Sequence, residues 1–135
     1  MSDKGMNGIT SGAGNEKKKI LLVDDDATHL VATRAMLEKD YEVTIANSGQ
    51  EALTFFHGGL VPHLVLLDII MPEMDGWATY EQVRAAGSLQ NVPIAFFSSS
   101  DEPGNRSRAL QIGAVDFITK PARKTELLER VKKLI

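Results

Sequence analysis

Five short apolar runs recur along the chain, each bounded by polar or turn residues and separated from the next by a longer amphipathic stretch. The runs are Ile20 to Val23, Val43 to Ala46, Leu64 to Leu67, Ile94 to Phe97 and Val115 to Ile118, all rich in Val, Ile, Leu and Phe. Apolar residues at consecutive rather than alternate positions suit strands buried on both faces of a parallel sheet. The intervening stretches predict helices at Ala27–Lys39, Gly49–His57, Asp75–Ala86, Asn105–Ile112 and Lys124–Leu134. Ser48, followed three positions on by Glu51, reads as a capping box for the second helix. Leu127, Leu128, Val131, Leu134 and Ile135 give the fifth helix one apolar face. Five βα units joined by right-handed crossovers predict a three-layer, doubly wound α/β domain, whose ligand sites lie at the carboxyl ends of the strands.

The chain's 135 residues, 43% hydrophobic and 24% charged, suit one compact domain. No apolar run approaches the roughly 20 residues of a membrane-spanning helix. The N-terminus has no apolar segment of the secretory kind, so the expected location is the cytoplasm. Absence of cysteine removes disulfides and thiolate metal sites. Residues 1–17 are expected to form a flexible N-terminal tail, because four glycines and few large apolar side chains in Met1 to Asn15 cannot offset ordering entropy. Four lysines against Asp3 and Glu16 make residues 1–19 weakly basic, leaving −5 of charge on the rest. An acidic body has no electrostatic footprint for nucleic acid, so no direct nucleic-acid contact is expected.

The expected carboxyl ends of the strands carry Asp24, Asp25 and Asp26 on the first, Asp68 on the third, Ser98, Ser99 and Ser100 on the fourth, and Thr119 and Lys120 on the fifth. Singly each has a structural explanation: an Asp run caps the next helix, Lys-Pro makes a loop, and three serines make a polar connector. Together they bring acids, a hydroxyl and an amine to one sheet edge. Clustered carboxylates repel one another, and a hard cation such as Mg²⁺ with Lys120 beside it resolves that repulsion.

V-D-D-D at Val23 to Asp26, L-D-I-I-M-P-E-M-D-G at Leu67 to Gly76, Ser98, and I-T-K-P at Ile118 to Pro121 resemble the receiver domains of response regulators in two-component phosphorelay signalling. The resemblance covers residues 18–135 and implies a flavodoxin-like fold with strand order 2-1-3-4-5. It implies that Asp68 is the phosphoacceptor, Asp24 and Asp25 the acidic pair, Ser98 the switch hydroxyl and Lys120 the amine that meets the phosphoryl group. Mg²⁺ would be held by Asp25, Asp68 and the backbone carbonyl of Ile70, with Asp24 acting mainly through water. Phe117 would couple the pocket to the surface of the fourth helix, fifth strand and fifth helix. The implied partners are a sensor histidine kinase or histidine phosphotransfer protein, a downstream output domain or effector, and a second copy of the chain on phosphorylation, with no membrane. Such a domain is not an enzyme in the ordinary sense, since it catalyses only its own phosphoryl transfer and slow autodephosphorylation.

Two positions depart from the family's habit. Ser98 stands where Thr is frequent, which keeps the hydroxyl. Ala122 follows Pro121 where Phe is common, which leaves the Lys-Pro turn less well packed; a cis bond before Pro121 is still expected. Ile70 and Ser100 flank the route of an attacking water, and an apolar Ile70 is expected to slow hydrolysis. Among other residues, His29, His57 and His63 lack metal-site spacing. Trp77 is expected to be a half-exposed packing residue. Gly12 and Gly14 precede the first strand, where no dinucleotide loop can sit. Two alternatives stand beside this reading. Asp24, Asp26 and Thr28 form D-x-D-x-T, which resembles the nucleophile motif of haloacid dehalogenase-type phosphatases and would make Asp24 the nucleophile of an Mg²⁺-dependent enzyme. The other is a receiver-like interaction module that is never phosphorylated.

Overall fold

The computed structural model describes residues 16–100 and 102–135, so most of the expected N-terminal tail lies outside the described residues. The elements in chain order are β1 (Lys18–Val23), α1 (Ala27–Leu37), β2 (Tyr41–Ala46), α2 (Gly49–His57), β3 (Leu64–Leu67), α3 (Gly76–Ala85), a 3-10 turn (Gly87–Leu89), β4 (Ile94–Ser98), α4 (Asn105–Gln111), β5 (Asp116–Thr119) and α5 (Lys124–Leu134). All neighbouring strands pair in parallel, in the order β2-β1-β3-β4-β5. This is the expected doubly wound arrangement, with its topological switch point between β1 and β3.

The pleat of the sheet divides the core in two. Leu21, Val23, Val65, Leu67, Phe96 and Phe117 face one way and pack with residues of α2, α3 and α4. Ile20, Leu22, Leu64, Leu66, Phe97 and Ile118 face the other way, toward α1 and α5. Every residue of β3 is buried, which is why Leu64 to Leu67 reads as an unbroken apolar run.

Expected boundaries shift by a residue or two. Asp75 is the cap of α3 rather than its first residue, its Oδ1 accepting from Ala78 N–H at 2.9 Å. Ser48 Oγ accepts from Glu51 N–H at 3.0 Å, while the returning bond runs from Asn47 N–H, not Ser48, to Glu51 Oε1. β5 begins at Asp116 rather than Val115, which is 43% exposed. Val115 is apolar, but burial at this edge strand belongs to Phe117 and Ile118. The 3-10 turn at Gly87–Leu89 is an addition to the expected elements, held by Arg84, which donates to the carbonyls of Leu89 and Val92.

Candidate functional site

Hydrogen bonds at the sheet's carboxyl edge set the site. Asp24 N–H donates to the Ala46 carbonyl at 3.1 Å, Asp68 N–H to Val23 at 2.9 Å and Lys120 N–H to Ser98 at 3.0 Å. These bonds fix where β1, β3 and β5 release their next side chains. Carboxylate oxygens of Asp24, Asp25 and Asp68 come within 4.8 Å of one another. Lys120 is hydrogen-bonded to Asp24 Oδ2, and its Nζ lies 3.7 Å from Asp68 Oδ2. Ser98 is fully buried beneath them.

The two neighbouring acids of β1 have different surroundings. Asp24 is 6% exposed and spends one oxygen on the N–H of Asp26, at 2.9 Å, and the other on Lys120. Asp25 is exposed and has no hydrogen-bond or ion-pair partner among the described residues. Burial pushes the Asp68 carboxyl above the ordinary aspartate range; the Ser98 hydroxyl, Lys120 and the Ile69 N–H pull against this, while Asp24 adds to the rise. Asp26 stands apart as the cap of α1, accepting from Thr28 and His29 N–H, and the His29 bond is the main cause that holds its pKa down.

A metal fits this donor set. Three hard oxygen donors converge, Asp25 carries no other partner among the described residues, and buried Asp68 has its ionised form disfavoured by desolvation and by the like charge of Asp24. The structure thus brings together Asp24, Asp25, Asp68, Ser98 and Lys120. Ile70 is 62% exposed at the rim, where Ile70, Trp77, Ser100, Asn105 and Arg108 line a groove of about 360 Å³.

Phe117 is buried in the core, 6.5 Å from Phe96 between ring centroids, with the Arg106 guanidinium 5.3 Å above its ring. Trp77 is the half-buried packing residue expected, 4.7 Å from Phe96 and capped by Arg108 at 4.1 Å. The Lys120–Pro121 bond is cis. Ala122 is itself buried, but a recess of about 280 Å³ opens beside it between α1 and the Lys-Pro turn, lined by Met36, Phe97, Lys120 and Pro121. The small side chain leaves space, as expected, while Asp24 still anchors Lys120.

Several site neighbours carry no legible signal. His29 comes to the rim of the acid cluster, its Nδ1 3.9 Å from Asp24 and 3.7 Å from Asp26, which only the first turn of α1 decides. Asn105 is buried and donates to Ser100 Oγ at 2.8 Å. Arg106 and Arg130 both donate to the Phe117 carbonyl, at 3.0 and 3.2 Å, and Arg130 also pairs with Asp116. An Asn after Pro-Gly and arginines on helices are too common to be singled out by type.

The family model described as the response regulator receiver domain matches residues 20–132. The chain belongs to the response regulator receiver domain family. Its receiver fold and its place in two-component signalling follow from that membership. A probable transcriptional regulator ycf27 of Porphyra purpurea is 37% identical over 123 residues, which are 90% of this chain and 49% of that protein. The chain spans about half the length of the curated relatives it matches. Among solved structures, the chemotaxis protein CheY4 of Vibrio cholerae superposes with a TM-score of 0.81 at 25% identity, covering 88% of this chain and 99% of that one. A receiver domain of a signal transduction histidine kinase from Syntrophus aciditrophicus gives 0.77 at 33% identity, covering 87% and 89%. Receiver domains are signalling modules rather than enzymes with a separate turnover substrate, and as a family bind Mg²⁺ at an acidic pocket, here the cluster of Asp24, Asp25 and Asp68. Among the described residues no helix is long and apolar enough to cross a membrane.

Proposed function

We propose that Asp68 accepts a phosphoryl group from the phosphohistidine of a sensor kinase or phosphotransfer protein, and that the resulting aspartyl phosphate switches the surface of α4, β5 and α5. The observation that carries this reading is the placement of a buried Asp68 at the end of β3, with Lys120 Nζ 3.7 Å away and the Asp24 and Asp25 carboxylates within 4.8 Å. An Asp68 oxygen attacks phosphorus, the P–O bond forms as the P–N bond breaks, and the imidazole leaves with the electron pair. Asp25 and Asp68, with the Ile70 carbonyl, would hold Mg²⁺, and Asp24 would act through water. When bound, the ion supplies charge neutralisation at the phosphoryl oxygens. Lys120, tied to Asp24, adds a second positive charge beside Asp68. Ser98 then donates its hydroxyl hydrogen to a phosphoryl oxygen, and Phe117 moves with β5 to relay the change.

Autodephosphorylation is slow in this reading, because the apolar Ile70 at the rim cannot orient an attacking water. The output is a downstream domain or effector protein, with a phosphorylation-dependent homodimer as a further partner; the domain is residues 18–135, and its setting is cytoplasmic. The phosphatase alternative is disfavoured by the fate of its motif: Asp26 caps α1 and Asp24 is held by Lys120. Treatment with acetyl phosphate and Mg²⁺, followed by borohydride reduction and peptide mapping, tests the assignment. Label on Asp68 that requires Mg²⁺ is expected; label on Asp24 would replace this reading with the phosphatase one, and no label with intact fold would favour the unphosphorylated module.

A further inference from the structure

The Ser98 hydroxyl does not stand alone. It accepts from the N–H of Ser100 at 3.2 Å, and Ser100 Oγ in turn accepts from Asn105 Nδ2 at 2.8 Å. Asn105 is the first residue of α4, and it is buried although the helix begins after Gly104, whose φ is +90° and which offers no side chain to cap it. α4 therefore starts without a side-chain cap, and the Asn105–Ser100 bond ties its first turn to the end of β4.

We propose that Asn105, acting through Ser100, is a positioning residue for the Ser98 hydroxyl and carries a change at Asp68 to the first turn of α4. A serine hydroxyl has one hydrogen to give and two lone pairs. With the Ser100 N–H occupying a lone pair, the hydrogen is left to point into the acid cluster, where phosphoryl oxygens would arrive. When Ser98 moves toward them, Ser100 and Asn105 follow as one hydrogen-bonded unit, and α4 is drawn by its N-terminus. This route is separate from Phe117, which communicates with β5. A merely structural Asn105 would satisfy its own buried amide and nothing more. The inference rests on Asp68 being the phosphoacceptor.

The test uses the full chain with Mg²⁺ and beryllofluoride, read by backbone amide shifts, and phosphoramidate phosphorylation rates read by Trp77 fluorescence. The variants are Asn105→Ala, Ser100→Ala, the double variant and Asn105→Asp, in which a carboxylate can accept from the Ser100 hydroxyl and so preserve the link. Each single alanine variant is expected to phosphorylate about three- to tenfold more slowly, the effect of one neutral hydrogen bond, with Mg²⁺ affinity unchanged. Beryllofluoride-induced shifts at Asn105 to Ala109 shrink in these variants while those at Phe117 to Thr119 persist. The double variant is no worse than either single one, as for two ends of one link, and Asn105→Asp recovers the response. Wild-type-sized shifts in the first turn of α4 in both alanine variants, additive losses in the double variant, or failure of Asn105→Asp to recover would overturn the proposal. A wild-type chain that shows no beryllofluoride response at Asp68 and Ile69 overturns the acceptor reading and this one with it; a normal wild-type response beside unaltered variants overturns this one alone. Ser100→Ala keeps the test decisive if Asn105→Ala does not fold.

Discussion

Asp24 and Asp25 are adjacent in sequence, yet one is buried against Lys120 and the other faces solvent without a partner among the described residues. A direct ligand must have a free oxygen, so Asp25→Ala is expected to weaken Mg²⁺ binding by more than the roughly 10- to 100-fold at most that loss of an outer-shell partner such as Asp24 costs. Titration of Trp77 fluorescence with Mg²⁺ measures both, and equal losses would contradict the division of roles. Lys120 belongs to the same scale. Its removal leaves phosphorylation of Asp68 detectable in the presence of Mg²⁺, but deletes a charge-assisted bond of roughly 1.5 to 3 kcal/mol. Such a loss is comparable with the gap between two states of a switch, so the active population should fall by an order of magnitude or more. In Lys120→Ala, amide shifts induced by beryllofluoride around Ala109 to Phe117 are expected to collapse; shifts of wild-type size would exclude Lys120 as the coupling element.

At the scale of elements, the start of α3 and the end of β3 are nearly in contact. A Cβ at Gly76 would run into the Asp68 carbonyl and come within 2.7 Å of Ile69 Cα, and Gly76 N–H already donates to the Ile69 carbonyl at 2.7 Å. This is the physical content of the M-D-G string: Asp75 caps the helix and Gly76 lets it approach the backbone of Asp68 and Ile69. Gly76→Ala is expected to cost about 1 to 3 kcal/mol, as overpacking does, lowering the urea midpoint and slowing phosphorylation together. β5 and α5 are joined by Arg130 and Asp116, whose oxygens it meets at 2.8 and 2.5 Å. Burial alone would push the Asp116 carboxyl up, but hydrogen bonds from Arg130 and the Phe117 N–H, with the charges of Arg130 and Arg106, outweigh it and hold the carboxyl below its ordinary range. Because the folded-state pKa is the lower one, the unfolded chain takes up the proton first as pH falls. The pair's contribution is whole above the ordinary aspartate value and is lost as pH drops through the folded value. Arg130→Met should therefore cost roughly 1 kcal/mol at neutral pH, since the pair is partly solvated, and less in acid below both values, where only the Arg130 bond to the Phe117 carbonyl remains to be lost. Urea midpoints of the two proteins across that range check the convergence.

At the scale of the molecule, metal binding and folding are linked, because the three carboxylates meet only when β1 and β3 are paired. Mg²⁺ at a hundredfold excess over its Kd should stabilise the domain by about 2.7 kcal/mol. Chelation should remove that increment, and Asp25→Ala at the same Mg²⁺ concentration should acquire only a small part of it. A midpoint that ignores Mg²⁺ in the wild type would mean that the acid cluster holds no ion.

Elements and their order were legible in the sequence because a parallel sheet covered on both faces imposes unbroken apolar runs, and amphipathic helices impose their own period between them. Asp68, Lys120 and Ser98 could be picked out because strand ends in such a sheet share one edge, and the resemblance at Leu67 to Gly76 made the choice specific. Tertiary structure alone decided which of two adjacent acids is buried, since one residue of advance past the end of β1 turns a side chain from Lys120 to solvent. It alone brought His29 to the rim, placed Asn105 on Ser100 and converged Arg106 and Arg130 on the Phe117 carbonyl. Local sequence carries the period of an element and the chemistry of its caps. The partner of a polar side chain several elements away depends on how packed layers set the distance between them.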